Sequence, residues 1–519
     1  MNRLNTLSDA VATHARLTPH KLAVRDSKRQ LSYAQWHERT EQLAAGLRAL
    51  GLQPGDRVAL LAYNCLEWME IYAALARSGL VAVPLNFRLT TAEIEYIAQH
   101  SEARAFIVQD ALTTLAQPLP QSLNLPPHHF IAFGDDTPSG WTAYETLIAS
   151  APNDLPPVQV KPQDMSALMY TSGTTGKPKG VIRSHEGSAL IALATALEMG
   201  FGAHDTALLV MPMCHANSLY FSQTFVHLGA TCVIDDRRSF DPQALLATLS
   251  EQHVTFTSLV PTHYIMMLGL PKEVKARFDV SAVSKLMISS APARKETKLA
   301  IMDFFKNGQL YELYGSTEAG WVTLLRPHEQ IDRLGSVGRE WSGSGPIRLL
   351  DPQGCEVPDG EVGELHSRTA YSFDGYWKNP EKTAEAYRGD WCSVGDMARR
   401  DADGFIHLVD RKSNMIISGG ENIYPSEVEA VLGQHPEIKD VAVIGVPHDK
   451  WGEAVLAVVV LHQDDSLSEA DLLNWCKGRI AGYKRPQSVR FVSEVDMPRT
   501  ATGKILHRVL RDQLSAALA

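Results

Sequence analysis

Cysteine is scarce in this chain: six in 519 residues, at 65, 214, 232, 355, 392 and 476, with no CxxC pair among them. That argues against a disulfide framework or a structural zinc site, and points to reduced thiols in a cytoplasmic enzyme. No uninterrupted run of about 18 apolar residues occurs, so no membrane-spanning helix is expected. The opening residues, Met-Asn-Arg-Leu-Asn-Thr-Leu-Ser-Asp, lack the apolar core of a signal peptide. Blocks of five or more lysines and arginines are missing too, and the formal net charge is −10, from 49 basic and 59 acidic side chains. Nucleic acid is therefore not an expected partner. No internal repeat or low-complexity tract stands out. What is present is a globular composition, 45% hydrophobic and 21% charged, on a chain too long for one core.

Residues 170–181 read Tyr-Thr-Ser-Gly-Thr-Thr-Gly-Lys-Pro-Lys-Gly-Val, and an apolar stretch of strand length precedes them. Glycines allow close backbone approach, and hydroxyls, N–H groups and lysines then converge on an anion, of which phosphate is the obvious candidate. The spacing is not that of a Walker loop, which needs GxxxxGK followed by Ser or Thr. Thr171 stands where its first glycine would be, and Pro178 follows Lys177. Composition alone leaves a flexible surface loop open as the alternative.

The remaining chain alternates amphipathic helices with short apolar strands, which implies parallel sheets covered on both faces. Helices are expected at Trp36–Leu50, Leu66–Ser78 and Thr91–Gln99, and strands at Arg57–Leu61, Val81–Leu85 and Ala105–Val108. A proline-rich texture over about 113–162 reads as a surface excursion and linker. Strands are expected again at Leu208–Met213, Thr231–Ile234, Thr255–Val260, Lys285–Ser289 and Gln309–Leu313. Ligands of open α/β sheets bind beyond the carboxyl ends of strands, which singles out Met213–Asn217, Ser289–Pro292 and Tyr314–Glu318. From about 336 to 409 glycines multiply and the spacing shortens, as in an antiparallel, barrel-like part. The last hundred residues form a compact α+β unit.

Taken with Tyr-Gly-Ser-Thr-Glu at 314–318, Gly395-Asp396, Asp410-Arg411, Ser-Gly-Gly-Glu-Asn-Ile-Tyr-Pro at 418–425 and Pro-Arg-Thr-Ala-Thr-Gly-Lys at 498–504, the loop gives six motifs in order. The sequence resembles the adenylate-forming enzymes, which include acyl- and aryl-CoA ligases, firefly luciferase and the adenylation domains of peptide synthetases. The resemblance covers essentially the whole chain. It implies an α/β fold: a large N-terminal domain, 1–410, of two α/β subdomains plus a β-barrel-like part, and a small mobile α+β C-terminal domain, 411–519. The implied activity is an ATP-dependent carboxylic acid–CoA ligase working through an acyl-AMP and releasing AMP and pyrophosphate. A free-standing adenylation enzyme that loads a carrier protein is the alternative. ATP, Mg²⁺ and coenzyme A are the implied cosubstrates and cofactor, a small carboxylic acid the partner, and a homodimer is left open.

The same resemblance assigns residues. Thr171, Ser172, Gly173, Thr174, Thr175, Gly176 and Lys179 would contact the ATP phosphates, with Thr174 and Glu318 at the metal. By itself Glu318 reads as a helix first-turn glutamate. Ser290, Ala291, Pro292, Tyr314, Gly315, Ser316 and Thr317 would flank the nucleotide, Asp396 would accept from the ribose hydroxyls, and Arg411 would assist. Val394 stands where relatives commonly have Thr. Lys504 is the expected catalytic lysine, a compact charge on a long stem. Ser413 maps to the hinge, where Ser413 and Asn414 replace the usual charged residues. Arg88, Gly419, Gly420, Trp451 and Lys484 are expected at coenzyme A. His215 matches a gate to the acyl site, and Cys214, if strand alternation holds, points away from it. Ser258, Gly315 and Trp321 would line the acyl pocket, with Ser289 and His263 nearby. That pocket suits an acid larger than acetate, aromatic or medium-chain.

Overall fold

The computed structural model describes residues 6–152, 156, 158–171, 178–289, 293–419, 421–448, 450–463, 467–500 and 503–518, with side chains to residue 514. The chain divides into two compact units: Met1–Pro346 with Ser367–Cys392, and Ile347–His366 with Ser393–Ala519.

The first unit holds two large sheets. The seven-stranded sheet runs Thr142–Ala143, Phe130–Phe133, Ala103–Gln109, Arg57–Leu61, Val81–Leu85, Met165–Thr171, Lys179–Ser184; all neighbours are parallel except the last pair. Its central strands are apolar throughout because helices cover both faces, and Val81–Leu85 is buried at every position. The nine-stranded sheet is parallel from Leu22–Arg25 through Thr231–Ile234, Thr206–Leu209, Phe256–Leu259 and Lys285–Ser289 to Gln309–Ser316. Antiparallel strands finish both of its edges: Gln30–Ser32 on one side, Gly320–Leu325 and Arg339–Glu340 on the other.

Three expectations need correction. The stretch 113–162 is more than an excursion: Phe130–Phe133 is a wholly buried strand of the seven-stranded sheet, and Tyr144–Ala149 is a helix. The strand expected over Leu208–Met213 spans Thr206–Leu209, and 213–215 form a turn instead. Strand alternation therefore gives no account of Cys214 and His215. Helix Tyr33–Ala49 begins three residues before the expected Trp36, because Ser32 and Gln35 form a capping box.

In the second unit the barrel-like part is a four-stranded antiparallel sheet, Arg348–Leu350, Val362–His366, Asp396–Arg400 and Ile406–Arg411. The C-terminal portion has its own sheet, built on the long hairpin Ile438–His448 and Gly452–Leu461, with helices Pro425–Leu432, Glu469–Trp475 and His507–Leu518. Among the described residues no helix is long and apolar enough to cross a membrane.

Candidate active site

The glycine-rich loop joins antiparallel strands, with Thr171 opposite Lys179 in the register. A Walker loop opens a helix; here Pro178 lacks an N–H and the chain returns as the strand Lys179–Ser184. Ser172, Gly173, Thr174, Thr175 and Gly176 lie outside the described residues.

A distant segment completes the strand edge. Ile182 donates its N–H to the Gly375 carbonyl (3.0 Å), Asp374 to Ile182 (3.1 Å) and Trp377 to Gly180 (2.8 Å). This pairing delivers Tyr376, whose hydroxyl donates to Glu318 Oε1 at 2.9 Å and whose ring lies 4.2 Å from the Lys179 ammonium. Thr171 Oγ1 also donates to Glu318 Oε1, at 3.4 Å. Glu318 is only 7% exposed. It occupies the turn of the hairpin Gln309–Ser316/Gly320–Leu325 rather than a helix start. Phe373 donates its N–H to the Glu318 carbonyl, and Ala319 donates to Ser316 Oγ, so the turn is fixed on both sides. Tyr376 escaped the sequence reading because its only local signal is a Gly-Tyr-Trp run nearly two hundred residues from Lys179.

Among the described residues no group of three or more His, Cys, Asp or Glu side chains gathers to hold a metal. Glu318 is nonetheless a suitable donor for Mg²⁺, which is usually held by one or two carboxylates together with substrate phosphates. Both bonds described above fall on Oε1, so Glu318 can still present Oε2. Tyr376→Phe is expected to raise the KM for ATP at limiting Mg²⁺ by about tenfold or more, the range for a hydrogen bond to a charged group. Steady-state kinetics against Mg²⁺ checks this, and an unchanged KM would separate Tyr376 from the site.

His215 is the N-cap residue of the helix Ala216–His227, with no side-chain capping bond, and burial pushes its pKa below the ordinary histidine range. Burial raises the Cys214 thiol to about 12, so it stays protonated. Asn217 Nδ2 donates to Ser258 Oγ (3.0 Å) and Ser289 Oγ (2.8 Å), and the two hydroxyls are 3.3 Å apart. This polar triad is buried; Asn217 closes the stretch 213–217 singled out from the sequence, where it had no role of its own. Trp321 is buried against Tyr220 and Phe221, and its indole N–H donates to Thr195 Oγ1 at 2.9 Å. A Cβ on Gly315 would come 2.3 Å from the Gly320 carbonyl oxygen across the hairpin, so this strand pairing requires glycine there. Tyr314, Ser316 and Thr317 lie along the same hairpin, each half-buried. His263 stacks on Phe240 at 3.9 Å, and burial lowers its pKa to about 4. Arg88 is exposed beside Phe87. Ser290, Ala291 and Pro292 lie outside the described residues.

The second unit carries its own charged cluster. Asp396 faces Arg411 across the strand register, and Arg411 Nε lies 3.1 Å from Asp396 Oδ1. Gly395 takes a φ of 81°, stabilised by its N–H donating to Ser393 Oγ, while Ser393 Oγ donates to Glu364. A hydroxyl thus exists beside Val394, one residue earlier, but it serves the turn. Lys504 is exposed as a residue. Although the residue as a whole is open to solvent, protein atoms crowd its ammonium, and this partial desolvation with the Arg411 guanidinium pushes it below the ordinary lysine range, opposed by Asp396 and Asp410.

Asp410 shapes the turn that contains Ser413, accepting from Asn414 Nδ2 (3.1 Å) and from the Ser426 N–H (2.9 Å). Gly419 takes a φ of +60° and donates its N–H to the Trp451 carbonyl; a Cβ there would meet the Trp451 ring at 3.0 Å. Trp451 is 40% exposed. Lys484 is paired with Glu427 at 2.6 Å, which raises its pKa. Gly420 lies outside the described residues.

The model of the AMP-binding enzyme family matches residues 11–377, and that of the AMP-binding enzyme C-terminal domain matches 427–504. A feruloyl-CoA synthase of an Amycolatopsis species is 37% identical over 502 residues, covering 96% of each chain. The crystal structure of the anthranilate CoA ligase AuaEII with anthranoyl-AMP superposes with a TM-score of 0.88 at 27% identity, covering 100% of this chain and 99% of that one. ATP-bound MatB from Rhodopseudomonas palustris gives 0.86 at 29% identity, covering 99% and 100%. The chain belongs to the AMP-binding enzyme family, in its acyl-CoA synthetase branch of AMP-forming ligases. Its mixed α/β architecture is that of these adenylate-forming enzymes.

Proposed function

We propose that the enzyme activates a functionalised carboxylic acid larger than acetate, with an aromatic acid first in line, and transfers it to coenzyme A. The observations that carry this reading are the buried Asn217–Ser258–Ser289 triad and the buried ring cluster of Tyr220, Phe221 and Trp321, in a chain similar end to end to aryl-CoA ligases. Buried polar groups are nearly always hydrogen-bonded; with Asn217 donating to both serines, the Ser258 and Ser289 hydroxyls keep further hydrogen-bonding capacity for a polar substituent, while Phe221 and Trp321 favour a flat apolar body.

A carboxylate is a poor acyl donor. Its oxygen attacks the α-phosphorus of ATP, the bond to pyrophosphate breaks, and the resulting acyl adenylate has AMP as its leaving group. A thiol then attacks the acyl carbon, forming the thioester as AMP departs and the thiol proton is lost. Thr171, Lys179 and the loop residues Ser172, Gly173, Thr174, Thr175 and Gly176 serve the phosphates. Tyr376 and Thr171 orient Glu318, which with Thr174 would hold Mg²⁺; when bound, the ion supplies neutralising charge to the phosphate oxygens. Asp396 accepts from the ribose, Arg411 steadies Asp396, and Lys504 places positive charge at the reacting carboxylate and α-phosphate. Ser290, Ala291, Pro292 and Tyr314 flank the adenine. For the thiol half-reaction, the turn at Ser413 serves as hinge between the segments 1–410 and 411–519. Arg88, Gly419, Gly420, Trp451 and Lys484 meet coenzyme A, and His215 gates the acyl site. A cytoplasmic location and a homodimer belong to the same reading.

Acid-dependent ATP–pyrophosphate exchange over a panel of aliphatic, plain aromatic and hydroxylated or aminated aromatic acids tests it. Asn217→Ala is expected to reduce the preference for polar-substituted over plain aromatic acids by about tenfold, the order of one hydrogen bond. Equal loss for all acids would contradict a reading role for the triad.

A further inference from the structure

In the second unit the stretch 498–506 closes on itself around Lys504. Arg499 and Ile505 form an antiparallel bridge, and Leu506 donates its N–H to the Pro498 carbonyl at 2.9 Å. Thr500 holds the Lys504 backbone at both polar groups: its N–H donates to the Lys504 carbonyl (2.8 Å), and its Oγ1 accepts from the Lys504 N–H (3.1 Å). Gly503 takes the left-handed φ of 83° that turns the chain back. Arg499 then reaches across this turn. Its Nη1 donates to the Gly503 carbonyl at 2.8 Å, and its Nη2 pairs with the Asp440 carboxylate. Asp440 lies on the strand Ile438–His448, where Ile438 faces Leu461 and Asp440 faces Val460, leaving Lys439 as an extra residue. A bulge of this kind re-aims a side chain. The far side of the turn is tied down as well. His507 Nε2 lies 2.6 Å from Glu429 Oε1, which also accepts from the Val443 N–H of that strand at 2.8 Å.

A lysine ammonium rides on a flexible stem, so its aim depends on where the backbone beneath it is fixed. Partly exposed ion pairs add little to stability, and the Arg499 and Asp440 side chains are 33% and 31% exposed. Their geometry says more than their energy. One planar guanidinium serves two fixed acceptors at once, the carbonyl next to Lys504 and a carboxylate on a neighbouring strand. We propose that Arg499 and Asp440 are positioning residues for Lys504, pinning its turn to the strand Ile438–His448 so that the ammonium is held in one place for adenylation. The inference rests on the role proposed above for Lys504 and adds what sets its place. Neither residue acts on the substrate directly; both act through the turn. Thioester formation does not use the Lys504 charge, and is therefore indifferent to the pair.

The test measures the two half-reactions separately on the full chain, with the acid of the panel above that the wild type exchanges fastest. One assay is acid-dependent ATP–pyrophosphate exchange; the other is thioester formation from supplied acyl adenylate and coenzyme A. Arg499→Met and Asp440→Ala are each expected to lower exchange ~10–10²-fold, the scale of a misplacement of about 1 Å. Both are expected to keep thioester formation and the melting temperature close to wild type. Added to Lys504→Ala, Arg499→Met is expected to cost nothing further in exchange, because it acts through that lysine. Equal loss in both half-reactions would mark a mere structural prop and overturn the proposal. So would wild-type exchange by both single variants, or a further loss on top of Lys504→Ala. If Arg499→Met does not fold, Asp440→Ala, alone and combined with Lys504→Ala, decides by the same comparisons. Wild-type exchange by Lys504→Ala is the separate result that would remove the underlying reading, and the inference with it.

Discussion

Lys504→Ala is expected to lower acid-dependent ATP–pyrophosphate exchange by ~10²–10³-fold, the range for removing one preorganised stabiliser of developing charge. Thioester formation from supplied acyl adenylate is expected to persist, because the second half-reaction does not require that charge at the carboxylate. The pH profile gives an independent readout. Partial desolvation and Arg411 hold the Lys504 ammonium below the ordinary lysine range, which lies near ~10.4. Protonated lysine is the useful form, so exchange should fall as pH rises through the lowered pKa, earlier than for an unperturbed lysine. Stability moves the opposite way. A lysine whose pKa is depressed by folding disfavours the fold at low pH, and that penalty fades as pH rises from the lowered value to the ordinary one. An alkaline loss of exchange without loss of melting temperature therefore identifies chemistry rather than unfolding. Wild-type exchange by Lys504→Ala would remove this lysine from the mechanism.

Glu318→Gln is expected to cost about 10²-fold or more in the same exchange assay and to raise the Mg²⁺ concentration needed for half-maximal rate. The amide keeps the shape of the turn and can still accept from Tyr376, so the melting temperature should stay close to wild type. What it loses is the negative oxygen that a hard cation prefers. An unchanged Mg²⁺ dependence would show that Glu318 is a structural plug in the hairpin turn, bonded by Thr171 and Tyr376 for packing alone.

Elements defined by short buried apolar runs were legible in the sequence: Arg57–Leu61, Val81–Leu85 and Lys285–Ser289 have the bounds expected from composition. Phe130–Phe133 has the same character but lies between Pro126-Pro127 and Gly134, and turn residues on both sides masked a four-residue strand. Long-range pairing was not legible at all. Tyr376 reaches Glu318 only because 374–377 pairs with Lys179–Ser184, a contact with no periodicity to announce it. The sequence places Asn217 in a strand-end stretch but does not announce its partners, Ser258 and Ser289, which arrive from two strands. Motif order identified the family, whereas the partners that orient Glu318 and Asn217 came from tertiary pairing.

The central claim is acid activation followed by transfer to coenzyme A, and AMP release by the purified protein tests it most directly. With ATP, Mg²⁺ and an acid panel, AMP should form in amounts matching acyl-CoA when coenzyme A is present, and should stall near one equivalent of enzyme when it is omitted. Turnover that ignores coenzyme A and requires a carrier protein, or no acid-dependent AMP at all, would contradict the account.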